Sequence, residues 1–242
     1  MTTATRRYPS APITEAVIDI RVQLPLKVAL SDLERLGVQI PEYPTRRSRT
    51  DTNVSIDVDK TTTTNKNVGF IFNSTDDKQL VQFRFDGFTF SRLKPYDRWT
   101  TFSSEARRLW AIYKAGVNPT KIERLAVRYI NRIDMPKPVD LAKYLKTLPE
   151  VSADLCGKAS NFFFQLHVDQ DDLHSTLLFN EAIVPPSNPS VVSALLDFDL
   201  FRTVDLPEND DAIWEIFEQF RNRKNQLFEA CITDDARRLF DA

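Results

Sequence analysis

Arginines recur at every fourth position of one predicted strand, and their side chains have an obvious chemical use. Arg124, Arg128 and Arg132 alternate with apolar residues such as Leu125 within the segment Ile122–Ile133. Successive side chains of a strand point to opposite faces, so the three guanidinium groups share one face. A guanidinium donates hydrogen bonds in a rigid fork that matches a carboxylate or a phosphate. The pattern therefore predicts a face that holds an anionic group.

Other predicted strands also alternate polar and apolar residues, and a curved sheet would gather their polar side chains in one groove. The candidate ligand-binding residues are Arg21, Arg84, Arg124, Arg128, Arg132 and His167. Two interpretations stay open. One face of an antiparallel sheet often meets water, and its mixed charges then simply pair across strands. Alternatively, the groove binds a ligand or a peptide.

Groups that could transfer protons are few in this sequence. The histidines are His167 and His174, and neither a GxSxG nor an HExxH motif occurs. The five glycines form no phosphate-binding loop of the GxxxxGK or GxGxxG type. If the polar face is an active site, Asp19, Asp199 or His167 would move protons there.

Metal ligands are also sparse. Cys156 and Cys231 fit neither a disulfide framework nor a metal-binding spacing. Asp169, Asp171 and Asp172 superficially resemble a calcium loop, but its glycine and its closing glutamate are missing. We interpret these aspartates as a solvated turn, and we expect no metal and no cofactor.

The composition is that of an ordinary globular protein. The chain has 242 residues, of which 42% are hydrophobic and 27% are charged. Its 32 basic and 34 acidic residues give a net charge of -2, whereas nucleic-acid binders are more often strongly basic. The basic run at Arg46, Arg47 and Arg49 is interpreted as a solvated loop. Because no signal peptide or membrane-spanning run is apparent, we expect a cytoplasmic protein without membrane contact.

The predicted elements follow the same order in both halves of the chain: a strand, a short helix, several antiparallel strands and a long helix. The long helices are predicted at about Trp99–Lys114 and at Asp210–Cys231. We expect one α+β domain over residues 1–242, with pseudo-repeats at about 13–116 and 120–232. The strands would form a pseudo-duplicated curved antiparallel sheet with both long helices on one face. This order resembles the TATA-box-binding-protein fold or a helix-grip fold.

Four less regular segments are also assigned from the sequence. Leu26–Leu36 and Val139–Leu148 are predicted to be short helices. Residues 38–53 contain prolines and the basic run and are predicted to be a loop, and Thr61–Asn67 is predicted to be a polar turn.

Three stretches together resemble a known family: Tyr8–Ile20, Gly87–Ala106 with Ile122–Ile133, and Lys224–Asp234. They are similar to a sporadically distributed bacterial family of uncharacterised proteins, and the resemblance spans nearly the whole chain. It implies no activity, because that family has no assigned reaction. Its patchy distribution implies carriage on mobile elements or in defence-related gene clusters.

Three classes of function follow from the polar face. The first is a non-enzymatic binding or interaction module for a protein partner or a small anion. The second is an enzyme acting on a phosphorylated or carboxylated small molecule, and the third is a nucleic-acid-binding protein. We also expect a homodimer, because Trp214, Phe217 and Phe220 on the second long helix offer apolar surface for a second copy.

Overall fold

The computed structural model describes residues 6–57, 60–152, 154 and 161–241, so that Cys156 lies outside the described residues. Within these residues, nine strands form one open antiparallel sheet, and the α+β class is confirmed. The strands are β1 (Ile13–Gln23), β2 (Thr45–Asp57), β3 (Lys60–Asn73), β4 (Gln79–Arg84), β5 (Gly87–Leu93), β6 (Lys121–Pro136), β7 (Phe163–Gln170), β8 (Ser175–Val184) and β9 (Val191–Arg202). The helices are α1 (Leu30–Arg35), α2 (Trp99–Val117), α3 (Asp210–Cys231) and α4 (Asp234–Arg238).

The strand order places the arginine-bearing strand at the middle of the sheet. The order is β2-β3-β4-β5-β1-β6-β9-β8-β7, with β1 and β6 as antiparallel neighbours. Ile18 of β1 lies opposite Val127 of β6, and Phe198 of β9 lies opposite Tyr129 of β6. These alternating apolar residues are all buried, which explains the period of two in the sequence.

Both long helices pack on the same face of the sheet, as the sequence predicts. Phe88 of β5 contacts Trp110 of α2, with 5.9 Å between ring centroids. Phe198 of β9 contacts Phe228 of α3 at 6.3 Å. The pairing registers put Phe88 and Phe198 on one side, which we call the helix face. The opposite side, which we call the open face, carries Asp19, Arg84, Thr89, Arg124, Arg128, Asp197 and Asp199.

The boundaries of α3 match the predicted helix because its capping signal is explicit. The Asn209 side chain accepts a hydrogen bond from the backbone N–H of Ala212 at 2.8 Å, which satisfies one free donor of the first turn. Thr233 caps α4 in the same way through the N–H of Ala236. Trp214, Phe217 and Phe220 are buried in the core, so the apolar surface expected on this helix for a second copy is absent.

The predicted loop at 38–53 is wrong from Thr45 onward, and the predicted turn at Thr61–Asn67 is wrong. These residues belong largely to β2 and β3, which pair along their whole lengths as a long hairpin. Only Gly69–Asn73 of β3 also pairs with β4. The outer part of the hairpin therefore lacks a third strand and, where its side chains are described, is exposed, so residues 50–53 and 60–67 show no apolar alternation. Its threonines favour extended backbone for a different reason, the branching at Cβ.

The predicted helix Val139–Leu148 is also wrong, and Leu26–Leu36 is helical only from Leu30. The former segment contains a single 3-10 turn, Leu141–Lys143. Leu145 then forms a β-bridge with Ile232, and the N–H of Lys146 donates to the carbonyl of Cys231 at 2.8 Å. These tertiary hydrogen bonds to the end of α3 replace the bonds that a continuing helix would make.

Candidate binding face

The structure brings all five candidate arginines to the open face, on strands β1, β4 and β6. Arg21 lies opposite Arg124, and Arg128 lies between Val17 and Asp199. His167 is on the same face, but on the outer strand β7 and separated from Asp199 by a residue of β8. The sequence therefore predicts the shared face correctly. Its partners and their geometry depend on strand order, which the sequence leaves open.

Asp19 is the shared acceptor of the first charged network. Its carboxylate accepts from Arg84 Nη2 at 3.1 Å, from Arg124 Nη1 at 3.1 Å and from the Thr89 hydroxyl at 2.7 Å. The donors come from β4, β6 and β5, while Asp19 is on β1. A carboxylate with three donors is held in one orientation, so the network fixes four neighbouring strands relative to one another.

Arg84 and its turn extend this network toward the sheet margin. Arg84 also donates to Thr89 and, through Nε, to Asp86 at 2.8 Å. Arg21 donates to the same Asp86 carboxylate at 2.7 Å. Burial disfavours the charged carboxylate, but Arg84 and then Arg21 outweigh it and hold the pKa of Asp86 below its usual value. Arg84 and Arg21 are therefore already neutralised by neighbouring carboxylates.

A close backbone approach allows β5 to sit against β1 at this point. Gly87 has a φ of +150°, and a Cβ built on it would lie 2.3 Å from the Ile20 carbonyl oxygen. Only glycine fits such a contact without moving a strand.

A second network crosses the other half of the open face as a row of side chains. Arg128 donates two parallel hydrogen bonds to Asp197, at 2.8 and 2.6 Å. Asn180 also donates to Asp197 at 3.1 Å, and Gln165 donates to Asn180 at 2.7 Å. The Asp197 side chain is 4% exposed, whereas that of Arg128 is 45% exposed. The guanidinium is therefore anchored on its inner side and meets solvent on its outer side.

Asp199 lies between the two networks and is only partly satisfied. One carboxylate oxygen, Oδ2, accepts from Arg124 Nη2 at 2.8 Å. The other, Oδ1, is buried and has no hydrogen-bond partner. Burial raises the pKa of Asp199 above its usual value despite the opposing charges of Arg124 and Arg128. A buried acceptor without a donor is costly, so this oxygen is poorly satisfied in the folded protein.

Arg132 and His167 differ in how firmly they are held. Arg132 donates to Asp134 at 3.1 Å, to Ser193 at 2.9 Å and to the Pro185 carbonyl at 2.7 Å. Among the described residues His167 makes no hydrogen bond, and it is exposed. No neighbouring acid or nucleophile positions it for proton transfer within that part of the chain.

Two buried ionisable groups on the helix face were not identified from the sequence. Lys224 is 6% exposed, and its Nζ lies 3.7 Å from the centre of the Tyr129 ring. Glu181 is fully buried, and neither of its carboxylate oxygens has a partner. Burial lowers the pKa of Lys224 to about 7 and raises that of Glu181 to about 8. In the sequence, Lys224 falls at helical spacing between Phe220 and Phe228, and this spacing indicates that the lysine faces the core.

Clusters suited to metal binding are absent from the described residues, where no three His, Cys, Asp or Glu side chains converge. Asp172 instead pairs with Arg223, and Asp171–Leu173 is a 3-10 turn, as expected for a solvated turn. An open cleft of about 320 Å³ lies beside this turn, lined in part by Asp169, His174, Thr176, Phe201 and Arg202.

Comparison with known proteins gives no family for this chain. No protein-family model matches it, and no curated protein matches it. Over the described residues, none of the helices has the length and apolar character needed to cross a membrane.

Proposed function

We propose that this protein is a non-catalytic interaction module whose open face binds a polypeptide partner carrying both acidic and basic groups. The observation that carries this proposal is the state of the arginines. Each of the five is tied to an adjacent carboxylate, while the two long helices cover only the opposite side of the sheet. The face is a fixed array of mixed charge.

The array suits a partner of mixed charge better than a small anion. An anion approaching Arg124 would meet the carboxylates of Asp19 and Asp199, each of which accepts a hydrogen bond from the same guanidinium. A polypeptide can instead offer an acceptor to the outer side of Arg128 and a donor to the exposed carboxylate of Asp86. Matching of this kind favours specificity among partners.

The rigidity of the array also favours binding. Arginine side chains lose rotamer freedom when they are immobilised at an interface, which costs about 0.5–1.5 kcal/mol each. Here Arg84, Arg124 and Arg128 are already held by hydrogen bonds to carboxylates. The entropic cost of ordering these side chains is therefore incurred when the protein folds and not when the partner binds.

Charge reversal on this face tests the proposal. The tagged protein is purified gently from its own host, a co-purifying protein is identified by native mass spectrometry, and its dissociation constant is measured. We expect Arg128→Glu to raise that constant about tenfold or more, because a carboxylate then replaces the hydrogen-bond donors that the exposed side of Arg128 offers to the partner. Arg35→Glu is the control and should leave it unchanged, because Arg35 is exposed in α1, which packs beside α2 on the helix side of the sheet. No co-purifying protein, or equal affinity for both variants, would contradict the proposal.

An enzyme acting on a phosphorylated or carboxylated small molecule is the second candidate, and Asp199 is the residue that favours it. Its raised pKa and free oxygen suit a general acid beside the guanidinium groups of Arg124 and Arg128. A screen of phosphate and ester substrates compares the wild type with Asp199→Asn. Turnover that is equal in both proteins removes this acid from any mechanism.

Nucleic-acid binding is the third candidate and has the least support. Phosphate contacts need lysines and arginines whose charge is available, and the open-face arginines are paired with carboxylates. A filter-binding titration that finds no salt-dependent retention would exclude it.

We also infer that the fold is a pseudo-duplication related to the saddle of the TATA-box-binding protein. Support comes from the strand order, which is symmetric about the β1–β6 pair. On this basis β5 corresponds to β9, β4 to β8 and β3 to β7. The described residues hold no counterpart of β2 beside β7.

A further inference from the structure

Strand β7 is an open edge of the sheet. Within the described ranges it pairs with β8 alone, over the whole length Phe163–Gln170. An open edge has a row of backbone N–H and C=O groups that can pair with another strand.

The hydrogen-bond pattern shows which residues present those groups. The N–H of Ile183 donates to the carbonyl of Phe162 at 3.1 Å, so Phe162 directs its backbone groups toward β8. Backbone direction alternates along an antiparallel strand. The N–H and C=O groups that point away from the sheet therefore belong to Phe163, Gln165, His167 and Asp169.

The side chains of β7 add an apolar row to this edge. Phe164, Leu166 and Val168 all lie on the helix face, because they pair with Glu181, Phe179 and Leu177 of β8. Leu166 is 42% exposed and Val168 is 40% exposed, since no strand or helix of the described chain covers them fully. In natural proteins, charged residues normally protect an apolar edge of this kind from pairing, or a helix or loop covers it.

The other edge of the sheet is protected in that manner. Strand β2 bears Arg47, Arg49 and Asp51, which are all exposed. Charged residues on an edge strand oppose pairing with a second sheet. Among the edge residues whose side chains the structure describes, those of β7 combine free backbone groups with exposed apolar side chains, whereas those of β2 are polar.

We propose that β7 pairs with β7 of a second copy of this chain across a two-fold axis at Leu166, which joins the two sheets edge to edge. In this register Leu166 faces its own copy, and Phe164 faces Val168 of the other chain, so the two apolar rows coincide. Gln165 faces His167, and both direct their backbone groups outward, as hydrogen-bonded pairs require. No residue faces a like charge, because Asp169 lies opposite Phe163.

This self-match is the reason to choose a second copy over a different partner. A two-fold interface must be complementary to itself, residue by residue. The sequence of β7 is apolar at three alternate positions centred on Leu166 and satisfies that condition without a charged mismatch. This interface is separate from the open-face residues Arg124 and Arg128 proposed to bind a partner, so either proposal can fail alone.

Sedimentation equilibrium of the purified full chain tests the proposal. We expect a species of twice the chain mass for the wild type and for the control Val38→Lys, because Val38 is exposed in the 3-10 turn after α1. Leu166→Lys should raise the dimer dissociation constant about tenfold or more, since two lysines then meet at the axis. Circular dichroism confirms that each variant is folded. A wild type that stays monomeric at about 100 µM overturns the proposal.

Cysteine cross-linking tests the register independently and does not depend on a destabilising variant. In a Cys156→Ser, Cys231→Ser background, Leu166→Cys should form a disulfide-linked dimer on mild oxidation. A non-hydrogen-bonded antiparallel pair brings Cα atoms to about 4.5 Å, which is within disulfide range. Phe163→Cys is the control and should stay uncross-linked. A dimer that persists in Leu166→Lys and gives no Leu166→Cys cross-link would show that another surface mediates it.

Discussion

Among the described residues, Glu181 and Lys224 are buried ionisable side chains with incomplete compensation, and Asp199 has one buried carboxylate oxygen without a hydrogen-bond partner. Burying a charge without a partner is costly, so such groups shift toward their neutral forms. Asp199 lies on the open face, within the surface proposed to bind a partner. Glu181 and Lys224 lie on the helix face, where their effect is on stability and its dependence on pH.

Glu181→Gln should remove a pH dependence of the free energy of unfolding. The folded-state pKa of Glu181 is about 8, above its ordinary value of 4.5, because of burial. Between these values the unfolded chain loses the proton while the folded protein keeps it, so wild-type stability falls as pH rises from about 4.5 to about 8. The glutamine variant should gain on the order of a few kcal/mol over the wild type across that window.

Urea denaturation from pH 5 to pH 9 measures this effect, with Glu123→Gln as the control because Glu123 is exposed. Parallel stability curves for the wild type and Glu181→Gln would mean that this carboxyl group has a charged partner after all.

Lys224→Met should change the pH dependence in the opposite sense. Burial lowers the folded-state pKa of Lys224 from its ordinary 10.5 to about 7. Between pH 7 and pH 10.5 the unfolded chain holds a proton that the folded protein releases, so wild-type stability from this group rises with pH. The methionine variant should lose that rise between pH 7 and pH 9 while keeping contact with Tyr129.

The same urea series tests it, and Lys27→Met is the matched control because Lys27 is exposed. If Lys224→Met keeps the wild-type slope, Lys224 is charged in the folded protein and stabilised by the Tyr129 ring.

Elements with one buried face were predictable from the sequence, and elements exposed on both faces were not. The α3 helix was predicted to its ends, because its apolar residues recur at helical spacing behind the Asn209 cap. Strand β6 was predicted for a similar reason, an alternation of period two. Residues 45–53 of β2 and 60–67 of β3 have no such alternation, so the arginines of β2 and the prolines that precede it indicated a loop instead.

Gly87→Ala should weaken the junction between β5 and β1. The added methyl group would clash with the Ile20 carbonyl oxygen, and the φ of +150° disfavours any side chain. Moving the strands apart also lengthens the contacts that Thr89 and Arg84 make with Asp19. We expect a loss of about 2 kcal/mol or more in the free energy of unfolding.

Thermal and urea unfolding of the variant provide the measurement. Ser104→Ala serves as the comparison, because Ser104 is exposed on α2. Unchanged stability of Gly87→Ala would show that this contact tolerates a side chain and that the strand junction is looser than the structure indicates.

At the scale of the whole molecule, the sequence predicted which arginines share a face but not what they contact. Arg124 and Arg128 were recognisable from their spacing along one strand. Their partners Asp19, Asp197 and Asp199 come from β1 and β9, and only the strand order brings them within hydrogen-bond distance. Because strand order depends on long-range pairing, local spacing carried no information about it. The mixed-charge array is therefore a result of the fold.

The two histidines offer the most direct test of the claim that the open face binds a protein partner. His167 is exposed on that face, whereas His174 is exposed at the turn between β7 and β8, beside Asp205. The rate at which diethyl pyrocarbonate modifies each histidine is measured by mass spectrometry, with and without the co-purified partner, in the Leu166→Lys variant, in which the proposed β7–β7 contact beside His167 is broken. The account predicts that the partner slows modification of His167 about tenfold while that of His174 is unchanged. Equal rates at His167 with and without a saturating partner would show that the partner binds elsewhere on the molecule.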